Sequence, residues 1–147
     1  VSTSRNPQLA CSGDRVYVIW EDNRDGAFEI YFNRSEDNGA TWESGDTRVN
    51  TNSAGVSDSL KPKITCQGTI VYTAWNDYRN GRWDIFFNYS VDSGTTWQSS
   101  DIRIDSKSGI NVNSTEPEIV ADGTNVFVIW KDSRSGTYTD IYFNYLK

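Results

Sequence analysis

The chain has 147 residues and a mass of 16.6 kDa, room for one ordinary domain, with 14 basic against 20 acidic residues, a net charge of −6 and a pI of about 4.6. That balance leaves no basic face for a phosphate backbone, no apolar run reaches membrane-spanning length, and the lack of histidine with only 2 cysteines excludes histidine triads and Cys/His zinc sites. No methionine occurs, even at position 1, so the chain is expected to be processed or excised from something longer.

In chain order, the first segment with strand character is QLAC after Pro7, followed by the alternating run VYVIW that ends at Trp20. A glycine turn leads to EIYFNRS, and TRVN closes the set at Asn50. Period-two alternation of β-branched and aromatic residues predicts half-buried strands, and Asp-Gly between the second and third predicts a tight hairpin. The four segments return as KITC after Pro62, IVYTAW ending at Trp75, DIFFNYS and IRID. Three return again as EIVA after Pro117, VFVIW ending at Trp130, and DIYFNYL. The three tryptophans are 55 residues apart, and so are the three prolines. Four-stranded antiparallel meanders at a fixed period match propeller blades better than solenoid coils. The predicted fold is all-β, a single β-propeller segment with repeat units 1–55, 56–110 and 111–147, the last lacking its outer strand.

After its third strand each complete unit carries Ser-x-Asp-x-Gly-x-Thr-Trp. The residues are Ser35, Asp37, Gly39 and Trp42 in SEDNGATW, and Ser90, Asp92, Gly94 and Trp97 in SVDSGTTW. This motif resembles the Asp-box, or bacterial neuraminidase repeat, of the sialidase-like propellers, and the repeat covers essentially the whole chain. Its residues read as structural: the aspartate accepts backbone N–H groups, the glycine supplies a positive φ, and the tryptophan folds back onto its hairpin as a plug. One carboxylate per turn is too few for calcium, so neither a metal nor a cofactor is expected.

The resemblance implies, for sialidases, an arginine triad, an Arg-Ile-Pro element, an aspartate acid and a tyrosine nucleophile assisted by glutamate. No Arg-Ile-Pro occurs here, and no Tyr/Glu pair departs from the repeat in a way that marks a nucleophile. No catalytic residue is assigned. Three blades do not close a ring of four to eight, so the flanks call for further blades of a longer parent chain or for a second copy that completes a six-bladed ring.

The loops between second and third strands share one face with the inter-blade linkers, opposite the Asp-boxes. That face carries the candidate ligand residues Asp22, Arg24 and Phe28, then Asp77, Arg79 and Trp83, then Asp132, Arg134 and Tyr138. Aromatic faces beside fixed polar groups suit sugars. The rival reading is that each Asp/Arg pair pins its hairpin and each aromatic packs on the next blade, because a residue that recurs in every unit serves what every unit needs. Lys61 and Lys63 are expected to pair with Glu116 and Glu118 across blades, and Cys11 and Cys66 to be free, buried thiols. The function expected is non-catalytic carbohydrate recognition by a secreted or cell-surface module. The alternatives are a fragment of a sialidase-type glycoside hydrolase and a purely architectural half-propeller.

Overall fold

The alternating segments form strands in a computed structural model that describes residues 1–105 and 112–147. The expected division between units at 110 and 111 lies outside the described residues. The first sheet runs in the order β1 (Ser4–Ser12), β2 (Arg15–Asp22), β3 (Glu29–Ser35), β4 (Thr47–Arg48). The second runs β5 (Ser59–Gln67), β6 (Ile70–Asp77), β7 (Asp84–Ser90), β8 (Ile102–Arg103). The third has three strands among the described residues, β9 (Ser114–Asp122), β10 (Asn125–Asp132) and β11 (Asp140–Leu146). All neighbours are antiparallel.

Two elements depart from the expected bounds. Each innermost strand begins before its proline. The preceding residues Asn6, Lys61 and Glu116 adopt φ of 51°, 57° and 56°, and the ladder slips beside them, so the missing proline N–H falls where pairing is already interrupted. The outer strands shrink to two residues each, because Val49 donates to the Ile30 carbonyl (2.8 Å) while the Asn50 side chain accepts the Ile30 N–H (2.8 Å), which turns the chain off the ladder.

Alternation gives each sheet two apolar faces, and the sheets stack face to face. Tyr17, Ile19, Ile30, Phe32 and Val49 of the first sheet pack on Val71, Trp75 and Phe86 of the second. Tyr72, Ala74, Ile85, Phe87 and Ile104 on its other face pack on Val126, Val128 and Trp130 of the third. Each large buried side chain removed from water contributes about 1.5–3 kcal/mol. The second sheet is covered on both sides, so β6 is buried almost throughout while β10 alternates. The uncovered face of the third sheet exposes Phe127, Ile129, Ile141 and Phe143, and that of the first exposes Leu9. Cys11 and Cys66 are free, but the expectation of burial fails: Cys11 is exposed because no sheet lies over its face, and Cys66 is half-buried against the first sheet.

Polar links cross the junctions. Fully buried Glu21 accepts from Arg5 Nε (2.6 Å), Asn6 Nδ2 (2.7 Å) and the backbone N–H of Lys61 (2.6 Å) on the next sheet. At the equivalent place Asn76 Oδ1 accepts the Glu116 N–H (3.0 Å). Lys63 pairs with Glu118 (2.7 Å) as expected, whereas Glu116 pairs with Lys131 (2.6 Å) on its own sheet. Arg34 Nη1 of the first sheet donates to the carbonyls of Asp92 (3.2 Å) and Ser93 (2.9 Å) and to Thr95 Oγ1 (2.6 Å) of the second.

Candidate functional site

The hairpin loops 23–28, 78–83 and 133–139 lie on the face where one sheet hands over to the next. Phe28 N donates to Asp58 Oδ1 (3.0 Å) and its carbonyl accepts from Ser59 N (2.7 Å). Trp83 is tied in the same way to Asn113 Oδ1 (3.0 Å) and Ser114 N (2.8 Å). These bonds satisfy backbone groups that leave the ladder, and they fix the first two loops to the strand that begins the neighbouring sheet.

Within each loop an aspartate organises an arginine two residues on. Asp22, Asp77 and Asp132 are buried, and each accepts both the backbone N–H and a guanidinium N–H of its arginine, at 2.8 and 2.9 Å for Arg24, 2.9 and 2.6 Å for Arg79, and 2.8 and 2.7 Å for Arg134. The guanidinium carbons lie over the rings of Tyr31, Phe86 and Tyr142 at 4.2, 4.0 and 4.0 Å from the centroids. Arg24 also reaches Asp46 (2.9 Å) and Arg79 reaches Asp101 (2.7 Å). Hydrogen bonds from Arg24 hold the Asp22 carboxyl well below the usual range. Burial pushes Asp77 and Asp132 upward, but their arginines outweigh it and both end below the usual range. The arginines are thus engaged by the protein's own carboxylates and rings.

The three candidate aromatics have different surroundings. Phe28 carries the Arg5 guanidinium over its ring at 3.8 Å from the centroid, so that face is taken. Tyr138 is 78% exposed. Trp83 meets Tyr78, with ring centroids 5.0 Å apart and planes inclined at 57°, and Tyr78 is itself exposed. Among the described residues, the candidate aromatics of the loop face form a ring pair in the second unit. Tyr78 was not singled out from the sequence. Its signal is a break in the repeat, since Asn23 and Ser133 hold the equivalent places.

On the opposite face, Ser35 Oγ and Asp37 knit the turn after β3. Ser35 Oγ donates to Asp37 Oδ1 (2.7 Å) and accepts the Gly39 N–H (2.9 Å), while Asp37 accepts from Thr41 N (2.8 Å) and Thr41 Oγ1 (2.6 Å). Ser90, Asp92, Gly94 and Thr96 repeat the pattern, with Ser90 Oγ to Asp92 Oδ1 at 2.7 Å and to the Gly94 N–H at 2.8 Å. These bonds stabilise the ionised carboxylates and hold both aspartates at about 2, the Thr41 hydroxyl leading at Asp37 and the Thr96 N–H at Asp92. Trp42 folds back onto its own turn as expected, its Nε1 donating to the Gly39 carbonyl (3.2 Å), but neither tryptophan is a plug confined to its own hairpin. Trp97 packs edge-on against Phe32 of the preceding sheet (5.1 Å, 77°), and Trp42, with no sheet beside it, is 45% exposed. A cleft of about 390 Å³ lined by Arg5, Pro7, Val18, Trp20, Arg24 and Asp46 opens on that same uncovered face of the first sheet. Among the described residues no group of three or more His, Cys, Asp or Glu is placed to hold a metal ion.

No protein-family profile and no curated protein matches the sequence. Among solved structures, a family 117 glycoside hydrolase from the marine bacterium Zobellia galactanivorans superposes over 98% of this chain and 52% of its own, at 13% identity and a TM-score of 0.65. A GH93 α-L-arabinofuranosidase of Fusarium graminearum, solved with arabinobiose, matches over 95% and 45%, at 14% identity and a TM-score of 0.63. A Trypanosoma rangeli sialidase in complex with 2,3-difluorosialic acid matches over 99% and 31%, at 13% identity and a TM-score of 0.59. The chain spans about half the length of the first of these structures and less of the others. What the likeness establishes is the fold: three antiparallel sheets arranged as successive blades of a β-propeller.

Proposed function

We propose that this propeller segment recognises carbohydrate without catalysis, on the loop face and centred on the Tyr78–Trp83 pair. The observation that carries the reading is that pair: two exposed or half-exposed rings meet at the hairpin where Tyr78 stands in place of the small polar residues Asn23 and Ser133 of the other units. A residue that departs from the period is not needed to build a blade, and an exposed aromatic ring such as that of Tyr78 suits the C–H face of a sugar ring. The glycoside hydrolase and sialidase neighbours support a carbohydrate ligand, two of them having been solved with arabinobiose or a sialic acid derivative. In this reading the turns Ser35–Trp42 and Ser90–Trp97 are Asp-boxes of the sialidase-like type with a purely structural role, and the module works outside the cell or at its surface.

A glycan array that includes arabinan and sialoside panels tests the proposal. Binding is expected for the parent chain and lost in Trp83→Ala and in Tyr78→Ala. A blank array, or binding that ignores both substitutions, overturns it. The neighbours also favour a second reading, a fragment of a sialidase-type hydrolase; turnover of a fluorogenic sialoside by the chain would replace the first reading with that one.

A further inference from the structure

We propose, resting on the reading of the Tyr78–Trp83 pair as a sugar platform, that Asn113 determines specificity at the same site, its side-chain amide donating to the ring or bridging oxygen of a neutral saccharide. Asn113 and Asp58 hold equivalent places one repeat apart, at successive junctions between sheets, and they do the same two things there. Asp58 Oδ1 accepts the Phe28 N–H (3.0 Å), and the Asp58 carbonyl accepts the Tyr78 N–H (3.0 Å). Asn113 Oδ1 accepts the Trp83 N–H (3.0 Å), and its carbonyl accepts the Ser133 N–H (3.0 Å). Joining the blades therefore needs a side-chain oxygen at this place and is indifferent to whether the other terminal atom is oxygen or nitrogen.

What differs is that spare atom. Asp58 is half-buried and keeps a second carboxylate oxygen, whereas Asn113 is exposed and its Nδ2 has no partner among the described residues. With Oδ1 engaged, what the Asn113 side chain offers a ligand is its N–H pair, fixed beside the residue that carries the Trp83 ring. A sugar hydroxyl could donate equally well to the carboxylate that serves at position 58, but an oxygen without a proton could not, so the amide selects ring and bridging oxygens. The surroundings of the ring pair are neutral in the same way. Asn80 stands where the first hairpin has Asp25, and its Nδ2 donates to Asp84 (2.8 Å). Both arginines of the hairpin are paired, Arg79 with Asp77 (2.6 Å) and Asp101 (2.7 Å) and Arg82 with Asp84 (3.1 Å). Exposed aromatic surface flanked by amides, with its cations held by the protein's own carboxylates, suits an uncharged sugar.

An array of neutral glycans, the arabinan panel among them, printed beside sialosides tests this with Asn113→Asp. That variant keeps an acceptor for the Trp83 N–H, as Asp58 does for Phe28 at the preceding junction, so it is expected to melt with the parent. Its binding to the neutral glycans is expected to fall by about fivefold or more, because a donor is lost and a carboxylate is set against the lone pairs of the sugar. Asn113→Ala, which also removes the acceptor, is expected to lower both binding and the melting temperature. In the parent, the Asn113 side-chain amide resonances are expected to shift in nitrogen–proton correlation spectra on titration with the strongest neutral glycan of the array, a readout that stands should Asn113→Asp lose stability. Binding that Trp83→Ala abolishes but Asn113→Asp leaves unchanged, amide resonances that do not move, or binding confined to sialosides overturns the role of Asn113 and leaves the platform standing. A parent that binds no glycan at all overturns both.

Discussion

The ring of Phe32 occupies the space that any side chain at position 94 would need. A Cβ built on Gly94 falls 2.4 Å from both Cε1 and Cζ of Phe32, and the backbone there has a φ of 82°. The first and second sheets approach this closely because the turn after β7 has at position 94 a residue without a side chain.

Gly94→Ala is expected to lower stability by about 2–4 kcal/mol, combining the left-handed backbone penalty with overpacking at the junction. Gly39→Ala, at a φ of 85° but with open space around it, is expected to cost only the backbone share, about 1–2 kcal/mol. Urea midpoints of the two variants check the difference. Equal shifts would mean that the Phe32 contact yields without cost.

Arg79→Ala leaves the fully buried Asp77 carboxylate with Ser59 Oγ and Trp75 Nε1 but no cation. A loss of about 3–5 kcal/mol is expected, as for other buried ion pairs broken on one side. Arg24 is 39% exposed, and solvent screens its pair with Asp22, so Arg24→Ala is expected to cost roughly 1 kcal/mol. Thermal unfolding without any ligand separates the two, and a loss in both variants too small to measure would contradict an anchoring role for the pairs.

Asp37 and Asp92 titrate at about 2 in the folded chain against an ordinary 3.8. Lowered carboxylates stabilise the fold above the unfolded value, and that contribution disappears as pH falls through the folded value. Stability is therefore expected to drop between about pH 4 and pH 2. Substituting asparagine at both positions should flatten that part of the profile while lowering the plateau above it. Melting temperatures measured at intervals from pH 2 to pH 6 provide the check.

Trp83→Ala is expected to weaken glycan binding at least tenfold, because stacking on an aromatic face is worth on the order of 1–1.5 kcal/mol beyond the area it buries. The Trp83 backbone bonds to Asn113 and Ser114 do not depend on its side chain, so the hairpin should stay in place. Titration calorimetry against the best array ligand, beside a melting curve of the same variant, distinguishes lost contact from lost fold.

The strands were legible because alternation is a local property: the third-strand segments EIYFNRS, DIFFNYS and DIYFNYL coincide with β3, β7 and β11. The Asp/Arg pairs were legible for the same reason, two residues apart on one loop. The prolines misled about where the first strands begin, since a left-handed residue before each proline lets the strand continue through a bulge. Burial was the least legible property. Trp42 and Trp97 end the same motif, yet one is exposed and the other lies against Phe32, because the covering side chain comes from a residue 65 positions away in another sheet. Tyr78 escaped notice because its meaning depends on Trp83 lying across the loop from it.

One repeat position also carries the succession of the blades. Glu21 receives the Lys61 N–H from a strand that bears Lys61 and Lys63, whereas neutral Asn76 receives the Glu116 N–H from a strand that bears Glu116 and Glu118. A shuffled gene that set the first unit directly before the third would place Glu116 and Glu118, instead of Lys61 and Lys63, on the strand whose backbone meets the Glu21 carboxylate. Units alike in fold thus differ in the neighbour that suits them.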